Sequence, residues 1–455
     1  MREPPSDHVS QQRRIPAVHA VLSAYRAAEG ALTDSFVTPF IRAELDVYRQ
    51  SGVLRSSDQI LKQTVDRLLR LEQPRLQPVL NGTGVILHTN LGRAPVSTAT
   101  ATAMAAAASA TVPLEIDLET GERGKRMDDV TRLLGGLTGA QSALVVNNNA
   151  AAILLVLSAL TSGREVLVSR GEAVEIGGGV RIPDVLAQSG ARMVEVGTTN
   201  RTYATDYERA IGPLTAALLK VHPSNFRMSG FVRPATIAEL APLARANNLP
   251  LIEDQGSGLL IDPAPYGLTG DRPVSESLRA GADIVTMSGD KLIGGPQAGI
   301  ILGRADLVER CTRHPFARAM RVDKVTLAGV AETLRHYARG EAVREIPIWR
   351  MIAAPVEELR TRGQAILRVL GSDDRWTLTE TTATVGGGSV PGATLPSIAI
   401  ARTGITGADL EQLARSLRTG QPGVYGRIEG DRLLIDLRSV QPEDDPRLIE
   451  ALSRV

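Results

Sequence analysis

The pattern of apolar and polar positions divides the chain into three regions. Residues 13 to about 78 lack strand patterns and carry apolar side chains at helical spacing, as in 18–28 and 58–71. Residues 80 to about 325 alternate short apolar runs with helical stretches, which is typical of a doubly wound sheet. Beyond them, helices at 324–339 and 356–369 precede strands at 377–385, 397–402, 424–429 and 432–437, and a last helix starts at Asp445. We therefore predict an α/β protein with a helical N-terminal domain (1–79), a large domain (80–328) and a small α+β C-terminal domain (329–455).

Composition and charge limit the classes of function. With 455 residues and 43% apolar content, the chain can bury a full α/β core and carry extra modules. A net charge of +1 argues against a protein that binds nucleic acid through bulk charge alone. Cys311 is the sole cysteine, so we expect no disulfide framework and no metal centre. Residues 1–12 are polar and no stretch reaches transmembrane length, so we expect a cytoplasmic protein with no membrane partner.

One lysine stands at the end of an apolar strand. The chain has only five lysines, and Lys291 follows the apolar run 283–287 and the sharp turn 288–290. An isolated lysine beside Asp and Gly is usually a solvated turn residue. An amine desolvated at a strand end, however, suits a Schiff base with pyridoxal phosphate (PLP).

Two other strand ends deliver polar groups upstream of Lys291. The apolar run 249–252 leads into Asp254, which could hold the pyridine nitrogen of PLP protonated. The run 216–221 leads towards Asn225, which could reach the phenolic oxygen of the cofactor. The order Asn225, Asp254, Lys291 resembles the large domain of the aspartate-aminotransferase-type, fold type I, PLP enzymes.

A phosphate site is predicted where a strand meets an apolar helix. The strand 142–146 is followed by three asparagines and by an apolar helix at 150–160. Free backbone amides and the helix dipole attract an anion at such a junction. We therefore expect Asn148, Asn149 and Ala150 to bind the cofactor phosphate, with a possible hydroxyl contribution from Ser288.

Five longer motifs make the resemblance more specific. They are NGTGVILHTNLGRAP from Asn81, DLETGERG from Asp117, VNNNAAA from Val146, SGDK from Ser288 and HPFARAMRVDK from His314. In this order and spacing they resemble the bacterial selenocysteine synthases, the L-seryl-tRNA(Sec) selenium transferases, from about residue 15 to the C-terminus. The resemblance implies conversion of serine esterified to tRNA(Sec) into selenocysteine, through β-elimination to a dehydroalanyl intermediate and addition of selenium from selenophosphate.

The resemblance also implies roles for individual residues. Lys291 would abstract and return the α-proton, and Asp254 would keep the PLP ring an electron sink. Arg93, Arg318 and Arg321 match the anion-binding arginines of the family, with Arg126 a further candidate for selenophosphate binding. Because Arg318 and Arg321 are three residues apart, we expect them on one face of a helix.

The N-terminal domain, by the same resemblance, would grip the tRNA. Residues 1–80 hold 11 basic and 9 acidic side chains, so charge does not mark an RNA-binding surface there, and packing on a neighbouring subunit remains an alternative. The family forms dimers with active sites at the subunit interface, and dimers can associate into rings, so self-association is expected.

Two alternative functions remain open at this stage. A PLP lyase acting on a small amino acid or aminosugar acid would share the core, but such relatives usually lack the N-terminal helices. A non-catalytic tRNA-binding scaffold is disfavoured by the set of Asn225, Asp254 and Lys291. The glycine runs 177–179 and 386–388 lack the strand, spacing and helix of a dinucleotide fingerprint, so we interpret them as turns or close-packing sites.

Overall fold

The structure is a computed structural model that describes residues 15–51, 55–73, 76–176, 179–224, 226–371 and 375–455. The predictions for residues 1–12, 177–178 and Asn225 therefore lie outside the described residues. The chain divides into two compact units, Met1–Pro78 and Val79–Val455. No helix of the described residues is both long enough and apolar enough to cross a bilayer.

The first unit consists of three helices, as the apolar spacing predicts. They are α1 (Val18–Ala27), α2 (Asp34–Gln50) and α3 (Ser57–Glu72). Ser56 and Gln59 form a capping box that starts the third helix. One side of each helix is buried in a common core of Val21, Tyr25, Val37, Ile41, Leu45, Ile60, Val65 and Leu68.

The second unit contains two larger sheets and a two-stranded ribbon. Its strands are β1 (Val79–Gly82), β2 (Ser142–Val146), β3 (Glu165–Ser169), β4 (Glu175–Ile176), β5 (Val180–Arg181), β6 (Arg192–Val196), β7 (Thr215–Val221), β8 (Leu251–Gly256), β9 (Ile284–Ser288), β10 (Gly299–Gly303), β11 (Trp376–Thr384), β12 (Thr394–Arg402), β13 (Gly423–Glu429) and β14 (Arg432–Asp436). The large sheet has the order β2-β10-β9-β8-β7-β3-β6, and only β10 runs antiparallel to its neighbours.

Helices cover both faces of the large sheet. The helices of this unit are α4 (Thr98–Ser109), α5 (Asp128–Thr138), α6 (Asn149–Thr161), α7 (Ile182–Gln188), α8 (Ala204–Ala210), α9 (Ile237–Ala246), α10 (Val274–Ala280), α11 (Ala305–Arg313), α12 (Pro315–Ala319), α13 (Lys324–Ala338), α14 (Ala342–Glu345), α15 (Pro347–Ala353), α16 (Val356–Leu370), α17 (Gly407–Thr419) and α18 (Asp445–Ser453). Successive strand residues enter different cores: Leu218 lies in one, and Leu219 lies in the other. This alternation is what a sheet buried on both faces requires, and it confirms the predicted doubly wound architecture.

The smaller sheet includes a strand from outside the C-terminal region. Its order is β1-β13-β14-β12-β11, and β1 pairs in parallel with β13, with Leu80 opposite Val424. The chain continues beside this sheet, since Leu87 N–H donates to Val385 O at 2.8 Å. We predicted that the large domain starts at residue 80, but residues 79–87 pair with the C-terminal strands. The physical reason is that β-pairing is settled between distant segments, which a local pattern does not record.

Candidate active site

Lys291 lies in a tight turn after a central strand of the large sheet. Strand β9 ends at Ser288, and Gly289 N–H then donates to Ala298 O at 2.8 Å, while Gly294 N–H donates to Lys291 O at 2.9 Å. These bonds close the turn and direct the lysine inward, leaving it 5% exposed. The predicted strand and the buried position of Lys291 are thus both present.

Asp254 lies on the adjacent strand and is held by two donors. Its carboxylate is 2% exposed and accepts from Asn149 Nδ2 at 2.8 Å and from Thr286 Oγ1 at 3.1 Å. Thr286 belongs to β9, and Asn149 begins helix α6, so three elements fix one carboxylate. Thr286 was not singled out from the sequence, although its place opposite Asp254 in the strand register could have indicated it.

Burial shifts both titratable groups towards their neutral forms. Desolvation lowers the pKa of Lys291, and the nearby Arg93 guanidinium lowers it further, against the attraction of Asp254 and Asp290. Desolvation raises the pKa of Asp254, although the hydrogen bonds from Asn149 and Thr286 act in the opposite direction. An amine with a lowered pKa is a better nucleophile and base near neutral pH.

Gly256 leaves space beside Lys291 and Asp254, where the ring of PLP would fit. A Cβ at Gly256 would lie 3.8 Å from Lys291 Nζ, 3.9 Å from Asn149 Nδ2 and 4.0 Å from Asp254 Oδ1, so three polar groups surround one point without a side chain. Asn149 Oδ1 is buried and lacks a hydrogen-bond partner in the described structure. This arrangement fits PLP. The amine of Lys291 suits the aldehyde of the cofactor, the carboxylate of Asp254 suits its ring nitrogen, and the amide oxygen of Asn149 is a further acceptor beside the open space.

A loop of the smaller sheet closes the site from the other side. A Cβ at Gly388, whose φ is +82°, would lie 2.6 Å from Lys291 Nζ. Gly388 N–H donates to Ser224 O at 3.1 Å, which ties the loop to the end of β7. The prediction that the glycine run 386–388 is a close-packing site is confirmed at Gly388. Its location against the lysine was missed, because 97 positions separate the two residues.

The predicted phosphate site combines a helix start with two differently used asparagines. Asn148 caps helix α6, with Oδ1 accepting from Ala151 N–H at 2.9 Å. The Asn149 side chain instead holds Asp254. Ser288 is buried as the last residue of β9. The Ala150 amide follows the cap, in the first turn where amides have no helical acceptor. Phosphate binding there stays a prediction.

The four predicted anion-binding arginines form two groups. Arg93 contacts Asp290 at 3.1 Å, next to Lys291. Arg126 and Arg321 instead approach Glu115, at 3.1 and 3.5 Å. Burial is the main cause that lowers the pKa of Arg321. The positive charges of Arg126 and Arg318 lower this pKa further.

Arg321 does not share a helix with Arg318. Helix α12 ends at Ala319, and Arg321 forms an isolated bridge with Val146. The expectation of one helical face is therefore wrong, because the chain turns to pair with the end of β2 after five helical residues. The pairing brings Arg321 close to the start of helix α6, since Asn147 N–H donates to Met320 O at 3.0 Å.

A second lysine of the large sheet is paired with a carboxylate. Lys220 in β7 forms an ion pair with Glu172, and Glu172 also accepts from Val221 N–H at 3.0 Å. Lys220 therefore has a contacting carboxylate of its own, whereas Lys291 lies beside Asp254 without one among the described residues.

Fold and site together define a PLP-dependent enzyme of fold type I. The fold is shared with D-glucosaminate-6-phosphate ammonia-lyase, at a TM-score of 0.59 and 22% identity over 85% of this chain and 96% of that one. The chain belongs to the L-seryl-tRNA selenium transferase family, whose model matches residues 79–441. It is 48% identical to the L-seryl-tRNA(Sec) selenium transferase of Moorella thermoacetica, over 97% of this chain and 96% of the relative. The enzyme of the same name from Geobacter metallireducens is 45% identical, over 97% and 98%. The resemblance found in the sequence motifs is thereby confirmed.

Proposed function

We propose that this chain converts L-seryl-tRNA(Sec) into L-selenocysteinyl-tRNA(Sec), with selenophosphate as the selenium donor. The observation that carries the proposal is the buried amine of Lys291, with its lowered pKa, beside the buried carboxylate of Asp254. The chain shares nearly half of its residues with a relative named for this activity. The structural neighbour named as a lyase has 22% identity and supports only the fold, so no second activity is proposed.

Lys291 would move the α-proton of the serine. Bound PLP supplies an electron-withdrawing ring that makes this proton acidic. Asp254 would hold the ring nitrogen protonated, fixed in place by Asn149 and Thr286. The neutral amine of Lys291 would take the α-proton and deliver it to the hydroxyl, which leaves as water; after selenium has joined the β-carbon, the amine would pass a proton from the solvent to the α-carbon.

The arginines would bind the selenium donor as an anion. Guanidinium groups stay protonated and bind phosphate oxygens in pairs. Arg93 is the one beside Lys291, whereas Arg126 and Arg321 lie around Glu115 and Arg318 is close enough to act on the charge of Arg321. Transfer of selenium breaks the selenium–phosphorus bond, and the water that cleaves it balances the water lost from serine. The products are selenocysteinyl-tRNA and phosphate.

We further propose that the N-terminal helices contribute to tRNA binding and that the chain self-associates. Helices α1–α3 form a unit with its own core. Shape and phosphate contacts, rather than a dense basic run, would then recognise the tRNA.

The test is formation of selenocysteinyl-tRNA by the purified chain from seryl-tRNA(Sec) and selenophosphate. Lys291→Ala should abolish product and the visible absorbance of bound PLP, whereas the exposed Lys125→Ala should leave both unchanged. Circular dichroism checks that the variants are folded. Deamination of free amino acids without tRNA, or full activity of Lys291→Ala, would refute the proposal.

A further inference from the structure

A cavity of about 490 Å³ lies near the Lys291 site, and Lys291, Asp254 and Asn149 are not among its lining residues. The ends of three neighbouring strands line it, at Ser169, Val221 and Gln255. Val390 and Pro391 of the loop that carries Gly388 form another wall. Cavities of this volume hold small molecules or single nucleosides.

Two segments connect the wall of the cavity with the surroundings of Lys291 and Asp254. Gly388 faces Lys291 Nζ, and Val390, two residues later, lines the cavity. His222 also lines it, and the backbone N–H of His222 donates to the backbone carbonyl oxygen of Asp254 at 2.9 Å. The Gly388 loop and the end of β7 therefore border both the cavity and the Lys291 site.

Three acidic side chains in the cavity wall each have a basic partner. Lys220 pairs with Glu172, Arg272 Nη2 lies 3.0 Å from Glu253, and His222 Nε2 lies 2.9 Å from Asp271. Three further polar atoms of these residues are buried with no partner in the described structure: Glu253 Oε2, Asp271 Oδ2 and His222 Nδ1. Paired acidic side chains with unused acceptor oxygens and an unused ring nitrogen favour a neutral heterocycle that carries an amino group.

The other walls and the rim suit the rest of a nucleotide. Val232 and Val390 provide apolar surface for the faces of a base, and the ring of Phe226 is 36% exposed and free for stacking. Arg201 and Arg227 are exposed at the same cavity, where a phosphate joining the nucleoside to the preceding nucleotide could bind.

We propose that this cavity binds the 3′-terminal adenosine of the aminoacylated tRNA, which rests on the proposed function. In seryl-tRNA only three bonds, each about 1.5 Å long, separate the serine α-carbon from the terminal ribose. When the α-carbon lies at Lys291, the nucleoside must occupy space next to Lys291 and the Gly388 loop, and the cavity provides it.

The experiment measures binding of two seryl-tRNA(Sec) forms without a selenium donor, one ending in adenosine and one lacking the terminal base. For the wild type, loss of the base should weaken binding about ten- to a hundredfold, as expected for one stacked base. Val232→Trp, which fills the cavity, should weaken binding of the normal substrate similarly and bind both forms equally. Leu214→Trp, at an exposed position away from the cavity lining, should behave as wild type.

Three outcomes would overturn the assignment. Equal binding of the two forms by the wild type refutes it even if Val232→Trp fails to fold. If removing the base weakens binding to Val232→Trp as much as it weakens binding to the wild type, the two losses are independent and the base binds elsewhere. Tight binding of 5′-AMP together with normal binding of the base-lacking tRNA assigns the cavity to a free nucleotide. A wild type that binds no seryl-tRNA at all refutes the proposed function instead.

Discussion

Replacing Gly388 by alanine should displace the amine of Lys291. The new Cβ would lie 2.6 Å from Nζ and 2.7 Å from Cε, and the backbone φ of +82° disfavours any side chain. The left-handed conformation costs about 1–2 kcal/mol, and overpacking in a rigid site costs about 1–3 kcal/mol. If the lysine moves away to relieve the overlap, PLP affinity should fall about 5- to 150-fold.

Two neighbouring glycines provide matched controls for this variant. Gly392 has the same kind of backbone, with φ +72°, but a Cβ there would meet only Arg227 Cδ, at 3.9 Å. Gly387→Ala would meet only Thr89 Oγ1, at 3.7 Å. Gly392→Ala should therefore show the conformational cost in thermal unfolding but keep PLP affinity, and Gly387→Ala should change neither.

The assay is titration of the cofactor-free protein with PLP, followed by visible absorbance, with Tm measured on the same samples. Gly388→Ala should have clearly weaker PLP binding than Gly392→Ala and a Tm no higher than that of Gly392→Ala. Wild-type PLP affinity in Gly388→Ala would show that the loop does not pack on the amine, and the reasoning would then fail.

Two further predictions concern charge at the site. Arg93→Ala removes a cation that lowers the pKa of Lys291, so this pKa should rise, although burial still holds it below its usual value. The pH midpoint for PLP uptake by the cofactor-free protein should therefore move upward. An unchanged midpoint would contradict the assignment. Glu172→Gln leaves the ammonium of Lys220, whose side chain is only 11% exposed, without its counter-ion and should cost about 3–5 kcal/mol in denaturant unfolding. Glu175→Gln, in an exposed ion pair, should cost at most about 1 kcal/mol, and equal losses would refute the distinction.

The sequence predicted those parts of the site that local signals record. Lys291 and Asp254 each follow an apolar run, and the structure puts both at the ends of adjacent strands. A polar residue after a buried strand is visible in the chain itself, because the parallel sheet brings such ends to one edge. Asn148 was likewise recognisable as a polar residue directly before an apolar helix.

The remaining contacts depend on segments that are far apart in the chain. Arg93 meets Asp290 across 197 positions, and Gly388 meets Lys291 across 97. The parallel partner of β1 is more than 340 residues away. Neither apolar periodicity nor turn chemistry records which distant segments pair, so the enclosure of the amine by the smaller sheet could be learned only from the structure.

The shifted pKa values explain how cofactor binding would stabilise this site. In the protein alone, burial disfavours the charged forms of both Asp254 and Lys291. A protonated pyridine nitrogen gives Asp254 a charged partner, which favours the carboxylate, and a covalent bond to the aldehyde uses the amine in the neutral form that burial already favours. Bound PLP therefore relieves the cost of burying the Asp254 carboxylate and uses the neutral Lys291 amine, so the burial that shifts both pKa values favours PLP binding. A ligand that binds only the folded chain raises its stability with concentration, so Tm should increase with PLP in the wild type and much less in Asp254→Asn, which cannot offer a negative charge.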